Sequence, residues 1–214
     1  MLDGPLVFVD IDTQRDFLEP GGALFVPGSL EIIPNLARLS SYASEHQIPV
    51  LATACAHTPG DLELETFPPH CMIGSRGQER IDATARSESI RFDEDAELPT
   101  AVPNHLTLLK RQYDLFTHPK ADALINLYQK FHPLFVVYGV ATDYCVAAAV
   151  DGLFARGCRV ALVVDAIRAM DSAAEAELLT SFARRGVLLV RTALICGSAP
   201  GFVANEPRGE RPIP

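Results

Sequence analysis

A three-layer α/β/α domain around a six-stranded, mainly parallel sheet is the fold class this sequence predicts, on three observations. Short apolar, β-branched runs alternate with segments of helical periodicity, the pattern of a sheet covered by helices on both faces. Several runs, such as Phe135-Val136-Val137, are continuously apolar rather than alternating, as expected where neither face of a strand meets water. The rhythm fills residues 1–196 without an internal repeat, and 214 residues suit one domain with enough interior to do without disulfides.

Taken in order, the predicted strands are Leu6–Asp12, Val50–Thr53, Leu106–Lys110, Leu134–Gly139, Val160–Asp165 and Val187–Val190. Between them, Ile32, Ile33, Leu36, Leu39 and Tyr42 fall near helical spacing behind Ser29 as N-cap. Leu124, Ile125, Tyr128 and Phe131 mark a second helix, and Val146, Ala149, Val150, Leu153 and Phe154 a third. Ser172-Ala-Ala-Glu175 reads as a capping box opening a helix that Gly186 closes. These periodic apolar residues are core. Residues 54–104 break the rhythm with a long stretch rich in Pro, His and Cys, and a connection of that length is usually functional. The tail 197–214, with four prolines and three glycines, is expected to be a loosely docked arm.

Bulk properties exclude several partners. With 18 basic against 27 acidic residues the net charge is −9 and no basic cluster occurs, which argues against nucleic acid and anionic membranes. The apolar runs fall well short of the ~20 residues that span a bilayer. The first apolar run is preceded by an acid and no basic residue, unlike a secretory signal, so a cytoplasmic protein is expected. Five scattered cysteines (Cys55, Cys71, Cys145, Cys158 and Cys196) do not form a disulfide framework, so each is a filler, a ligand or a nucleophile.

In open α/β sheets, ligands bind beyond the carboxyl ends of the strands. Those ends carry Asp12, Lys110 and, in the turn after the fourth predicted strand, Cys145. Singly, a strand-end carboxylate usually caps a turn, a lysine is usually solvated and a cysteine usually packs. A thiol at a helix N-terminus, however, sits where the partial positive charge lowers its pKa and where free N–H groups can hold an oxyanion. Asp10 rivals Asp12, since side chains two apart share a strand face, but Asp12 is nearer the carboxyl end.

These residues also carry a resemblance. Asp12-Thr-Gln14-Arg-Asp16-Phe17 resembles the D-x-Q-x-D-F opening motif of the isochorismatase-like cysteine hydrolases. Gly139-Val140-Ala141-Thr142-Asp143-Tyr144-Cys145-Val146 is similar to their nucleophile motif, with Lys110 between, and the resemblance covers roughly residues 5–195. It implies the isochorismatase-like hydrolase fold and a thioester mechanism. Asp12 is the base, Lys110 stabilises charge, and Cys145 attacks a small amide. The backbone N–H groups of Ala141 and Cys145 bind the oxyanion beside a cis Val140–Ala141 peptide.

Within the superfamily the chain looks most like the nicotinamidases, which convert nicotinamide to nicotinate and ammonia. Their metal loop is similar to Thr53-Ala-Cys55-Ala-His57 and Phe67-Pro-Pro-His70-Cys71, which implies a divalent metal on His57 and His70. Cys55 stands where those enzymes have Asp; a thiolate with two imidazoles suits zinc. Phe17, Phe67 and Gln14 are assigned to substrate binding, the two rings as a sandwich. Arg111 follows Lys110 where the family often has Gly, and would favour an anionic substrate. A homo-oligomer is expected by analogy. Two other readings are a metal-free relative acting on isochorismate or a ureido or carbamoyl compound, and a catalytically silent binder on the same fold.

Overall fold

The computed structural model of the protein describes residues 4–197, so all but the first residue of the expected C-terminal arm lies outside the described residues. The chain runs β1 (Leu6–Ile11), α1 (Arg15–Leu18), α2 (Ile33–Glu45), β2 (Val50–Cys55), β3 (Ile90–Phe92) and β4 (His105–Lys110). It continues through α3 (Ala121–Gln129), β5 (Leu134–Val140), α4 (Ala147–Ala155), β6 (Arg159–Arg168), α5 (Ser172–Arg185), β7 (Leu188–Val190) and α6 (Thr192–Cys196). The strands form one sheet in the order β3-β4-β2-β1-β5-β6-β7, and every pairing is parallel.

The sheet thus has seven strands rather than six and is parallel throughout. The additional strand, β3, spans three residues, two of them exposed, and pairs with β4 alone at the edge. So short a run inside a long loop carries no periodicity to read.

Because strand faces alternate, Val7, Val9 and Ile11 pack with Leu124, Tyr128, Val150, Leu153 and Phe182 from α3, α4 and α5. Phe8 faces the other layer, with Leu36 and Leu39 of α2 and Ile195 of α6. Phe131, expected in the core, falls beyond the end of α3 and is exposed. Among the described residues no helix is long and apolar enough to cross a membrane.

Two helix starts differ from expectation. Ser29 opens a 3-10 turn, Ser29–Ile32, behind Gly28 in the left-handed region, and α2 begins only at Ile33 with proline in its first turn. At α5 the cap is Asp171, whose Oδ1 accepts the Ala173 N–H at 2.8 Å, while Ser172 is already helical. Glu175 accepts the Ala169 N–H and the Thr142 hydroxyl instead of closing a capping box. Gly186 ends α5 in the left-handed conformation, as expected.

β1 is the point where strand order reverses: β2, β4 and β3 lie to one side, β5 to β7 on the other. Ligand sites form beyond such switch points. There Gly139 pairs with Ile11 at φ +117, and a Cβ on it would sit 2.0 Å from the Ile11 carbonyl oxygen. Only glycine lets β5 approach β1 so closely. Gly139→Ala should therefore cost at least about 2 kcal/mol by overpacking and backbone conformation. Gly157→Ala, also at positive φ but with open space around it, should cost only about 1 kcal/mol. Urea-melt midpoints check the difference; equal losses would mean that the β1–β5 approach is not constrained.

Candidate active site

Beyond β1 the chain turns sharply, with Asp12 at φ 47, a region that short polar residues tolerate. The Thr53 hydroxyl of β2 accepts the Asp12 N–H at 3.2 Å and donates to its Oδ1 at 2.7 Å. At the end of β4, Lys110 sits in register with Cys55 of β2. Lys110 is only 2% exposed, and its ammonium is 2.8 Å from Asp12 Oδ2 and donates to Cys55 Sγ at 3.1 Å, Cys145 Sγ at 3.7 Å and the Gln112 carbonyl at 3.2 Å. The structure therefore brings Asp12, Lys110 and Cys145 together.

Cys145 lies inside a π-helical turn, Thr142–Val146, that runs into α4, rather than ahead of a regular helix. That turn is tethered at two points. The Asp143 carboxylate accepts the N–H groups of Met170 and Asp171, and the Thr142 hydroxyl donates to Glu175. The Val140–Ala141 peptide preceding it is cis.

Electrostatics correct one expectation. The Cys145 thiol is held well above its ordinary value by its hydrogen bond to Cys55 and by burial, with Asp12 adding and Lys110 opposing. Cys55 is also raised: its bond to Cys145 and Lys110 pull it down, but burial and Asp12 outweigh them. The helix-terminal lowering expected of Cys145 does not prevail, because the hydrogen bond with Cys55 and the desolvation of a thiolate together oppose it. Lys110 is raised; burial pulls it down, and Asp12 with the two sulfurs outweighs that cost.

Next to this centre lies a cluster that could hold a metal. Ligand atoms of Cys55, His57, Glu63 and His70 all fall within 4.8 Å of one another. His57 Nδ1 contacts Asp61 Oδ2 at 3.3 Å and His70 Nδ1 the Pro68 carbonyl at 2.8 Å, which turns both Nε2 atoms toward Glu63. His57 Nε2, His70 Nε2 and Glu63 Oε2 are buried without a hydrogen-bond partner. Three orphaned polar atoms around one point, with each imidazole oriented through its other nitrogen, fit a divalent ion. Glu63 was not expected from the sequence, because in Leu62-Glu63-Leu64-Glu65 its acid looks like part of a solvated turn.

Two sequence assignments change. Gln14, assigned to substrate, is fully buried and holds backbone: its Nε2 donates to the carbonyls of Cys55 and Gln78, and its Oε1 accepts the Cys55 N–H, all at 2.8 Å. Arg111, expected to favour an anionic substrate, points to Thr58, Asp61 and Glu94. Asp10 is buried, ion-paired with Arg80 and bonded to the Thr13 hydroxyl. Burial raises its pKa, with Arg80 opposing.

A cavity with about 30 Å3 of open space, room for one or two waters, reaches Cys145 and Ala141. Phe17, Leu24, Val26, Phe67, Tyr113, Tyr144 and Met170 line it, with Glu63 and His70 on the metal side. Phe17 and Phe67 both stand edge-on to His70, with ring centroids 5.4 and 6.3 Å away. A wider groove of about 430 Å3 lies outside and shares Glu63, Phe67, Tyr113 and Tyr144 with it, so these aromatics form the wall between cavity and solvent. Tyr144 stands within the motif that carries Cys145, whereas Tyr113 carries no sequence signal beyond being aromatic.

The isochorismatase domain family model matches residues 6–193. No curated protein sequence matches the chain. Among solved structures, a nicotinamidase/pyrazinamidase from Bacillus subtilis is similar at TM-score 0.73 and 18% identity, covering 87% of this chain and 100% of its own. N-carbamoylsarcosine amidase from Thermoplasma acidophilum gives 0.72 at 21%, covering 92% and 99%. Pyrazinamidase of Pyrococcus horikoshii, in complex with zinc, gives 0.69 at 24%, covering 87% and 98%. At such identities the likeness to the solved structures is one of fold.

The Asp10–Arg80 pair yields a prediction independent of catalysis. Removing one member of a buried ion pair strands the other, at about 3–5 kcal/mol, so Asp10→Asn should lower stability by roughly that much. Asp10→Leu combined with Arg80→Met should recover most of it. If thermal or urea melts put Asp10→Asn within about 0.5 kcal/mol of the parent protein, the range of ordinary surface substitutions, the pair is not structural.

Proposed function

From the membership of this chain in the isochorismatase family of hydrolases, we propose that it is a cysteine amidohydrolase of a small, flat carboxamide, with nicotinamide the favoured substrate. The observation that carries this reading is one buried ammonium, Lys110, shared by Asp12 and Cys145 beside an apolar cavity that also meets His70 and Glu63.

In this reading the amide carbonyl is seated against Cys145. The thiol gives up its proton to Asp12 as its sulfur bonds to the carbonyl carbon, and Lys110 balances the charge that develops on the pair. The N–H groups of Ala141 and Cys145 hold the oxyanion. Asp12 returns the proton to the nitrogen, the C–N bond breaks and ammonia leaves, with the acyl group on Cys145 as a thioester. Water, deprotonated by Asp12, then attacks that carbon and releases the acid and the thiol. The raised Cys145 pKa suits this order: a thiol neutral at rest, ionised only as a base removes its proton.

His57 Nε2, His70 Nε2, Glu63 and Cys55 Sγ are the residues that would hold a divalent metal, with zinc favoured by the thiolate. When bound, it supplies a Lewis-acid anchor for a ring nitrogen. Phe17 and Phe67 supply aromatic contact to the ring, about 1 kcal/mol each beyond burial. The cavity lining is mostly apolar, carries the Glu63 carboxylate and contains no Lys or Arg, and Arg111 is engaged elsewhere, which favours a neutral amide over a dicarboxylate such as isochorismate.

Ammonia release from an amide panel tests the substrate. Nicotinamide should exceed benzamide, which lacks the ring nitrogen, by about tenfold or more in kcat/KM, or ~1.4 kcal/mol; equal rates remove the metal-anchor reading. Cys145→Ala should lose at least about 1000-fold, whereas Cys158→Ala, ahead of β6 and hydrogen-bonded to Gln129 at the end of α3, should change stability only. Near-native turnover by Cys145→Ala contradicts the covalent route. Elemental analysis should find about one zinc per chain, absent from His57→Ala and His70→Ala.

A further inference from the structure

Cys55 is not the nucleophile of the proposed cycle, yet its sulfur is as close to the centre as that of Cys145. The same Lys110 ammonium hydrogen-bonds Cys55 Sγ at 3.1 Å and Cys145 Sγ at 3.7 Å, and the Cys55 thiol donates to Asp12 Oδ2 at 3.8 Å. They come from separate parts of the chain, the end of β2 and the turn after β5. Their access differs. Cys145 lines the cavity and is 7% exposed, whereas Cys55 is fully buried and absent from the lining. A small neutral oxidant in the cavity therefore meets Cys145 first, and Cys55 shares the same Lys110 ammonium out of its reach.

We propose that Cys55 is the resolving partner of Cys145, so that a peroxide converts the two into an intramolecular disulfide and reversibly switches the site off. In the first step Cys145 sulfur attacks the O–O bond of hydrogen peroxide. An S–O bond forms, the O–O bond breaks, and the released hydroxide takes the thiol proton as water, leaving Cys145 as the sulfenic acid. In the second, Cys55 sulfur attacks Cys145 sulfur. The S–S bond forms, the S–O bond breaks, and hydroxide leaves with the Cys55 proton as a second water. Two thiols are oxidised and one peroxide is reduced to two waters.

Lys110 faces both sulfurs and favours negative charge on whichever one is attacking. Closing the disulfide also keeps Cys145 from the sulfinic acid, which thiols do not reverse. Coordination of a metal and disulfide formation compete for the same Cys55 sulfur. The remaining cysteines are engaged elsewhere: Cys71 Sγ with the Gly77 carbonyl, Cys158 Sγ with Gln129, and Cys196 Sγ with the Arg38 carbonyl. The loss of hydrolysis rests on Cys145 being the nucleophile; the cross-link does not.

Mass spectrometry of the full chain, freed of metal by a chelator and treated with a few equivalents of hydrogen peroxide, tests this without reference to turnover. The chain should become about 2 Da lighter, non-reducing peptide maps should join Cys55 to Cys145, and dithiothreitol should restore both thiols. In Cys55→Ser the cross-link should be absent and Cys145 sulfinic acid should rise about tenfold, because nothing intercepts the sulfenic acid. In Cys145→Ser the buried Cys55 should stay a free thiol. The proposal is overturned if the parent chain accumulates Cys145 sulfinic acid as fast as Cys55→Ser, or if Cys55 is oxidised in Cys145→Ser. A cross-link without any measurable hydrolase activity would leave the switch chemistry standing and count against the nucleophile reading alone.

Discussion

Lys110 carries its ammonium at a place where water scarcely reaches, and everything around the candidate site follows from keeping that charge satisfied. An isolated cation there would cost several kcal/mol. The Asp12 carboxylate, the Gln112 carbonyl and two sulfurs supply what water does not, and against the pull of burial Asp12 and the two sulfurs raise the Lys110 pKa. The same contacts fix where the other groups stand. Asp12 is drawn to Lys110 on one side and held by the Thr53 hydroxyl on the other. Cys145 is carried there by a turn tethered through Asp143 and Thr142.

The sheet makes this convergence possible. β1, β2, β4 and β5 are parallel and adjacent, so their carboxyl ends open on one edge, and Gly139 allows the closest approach at the point where strand order reverses. Cys55 links the two halves of the site. Its backbone is clamped by Gln14, and its sulfur touches Lys110 while lying within reach of the imidazole and carboxylate atoms of the neighbouring cluster. One side chain therefore meets both the Lys110 ammonium and the pair of imidazoles.

Much of the fold was legible because the central strands are fully buried, and full burial writes continuous apolar runs that composition alone reveals. β3 was not, since three residues with two exposed side chains leave no pattern. The reactive residues were legible as strand ends, but their environment was not. Periodicity tells where Cys145 sits along the chain and says nothing of how deeply its thiolate would be desolvated, so its pKa was expected to fall and instead rises. Gln14 and Arg111 show the same gap: each polar side chain had two destinations, and only the packed loops 54–104 decide between substrate and backbone. Glu63 became visible only when folding brought it against two imidazoles.

The dependence of the site on Lys110 is open to a direct measurement, a double-mutant cycle in folding stability between Lys110 and Asp12. Lys110→Met and Asp12→Asn each leave one buried partner stranded, and each should cost about 3 kcal/mol or more. The double variant removes both charges and should be far more stable than the sum predicts, with a coupling of roughly 2 kcal/mol or greater. Additivity of the two losses within about 0.5 kcal/mol would contradict the view that this ion pair organises the site.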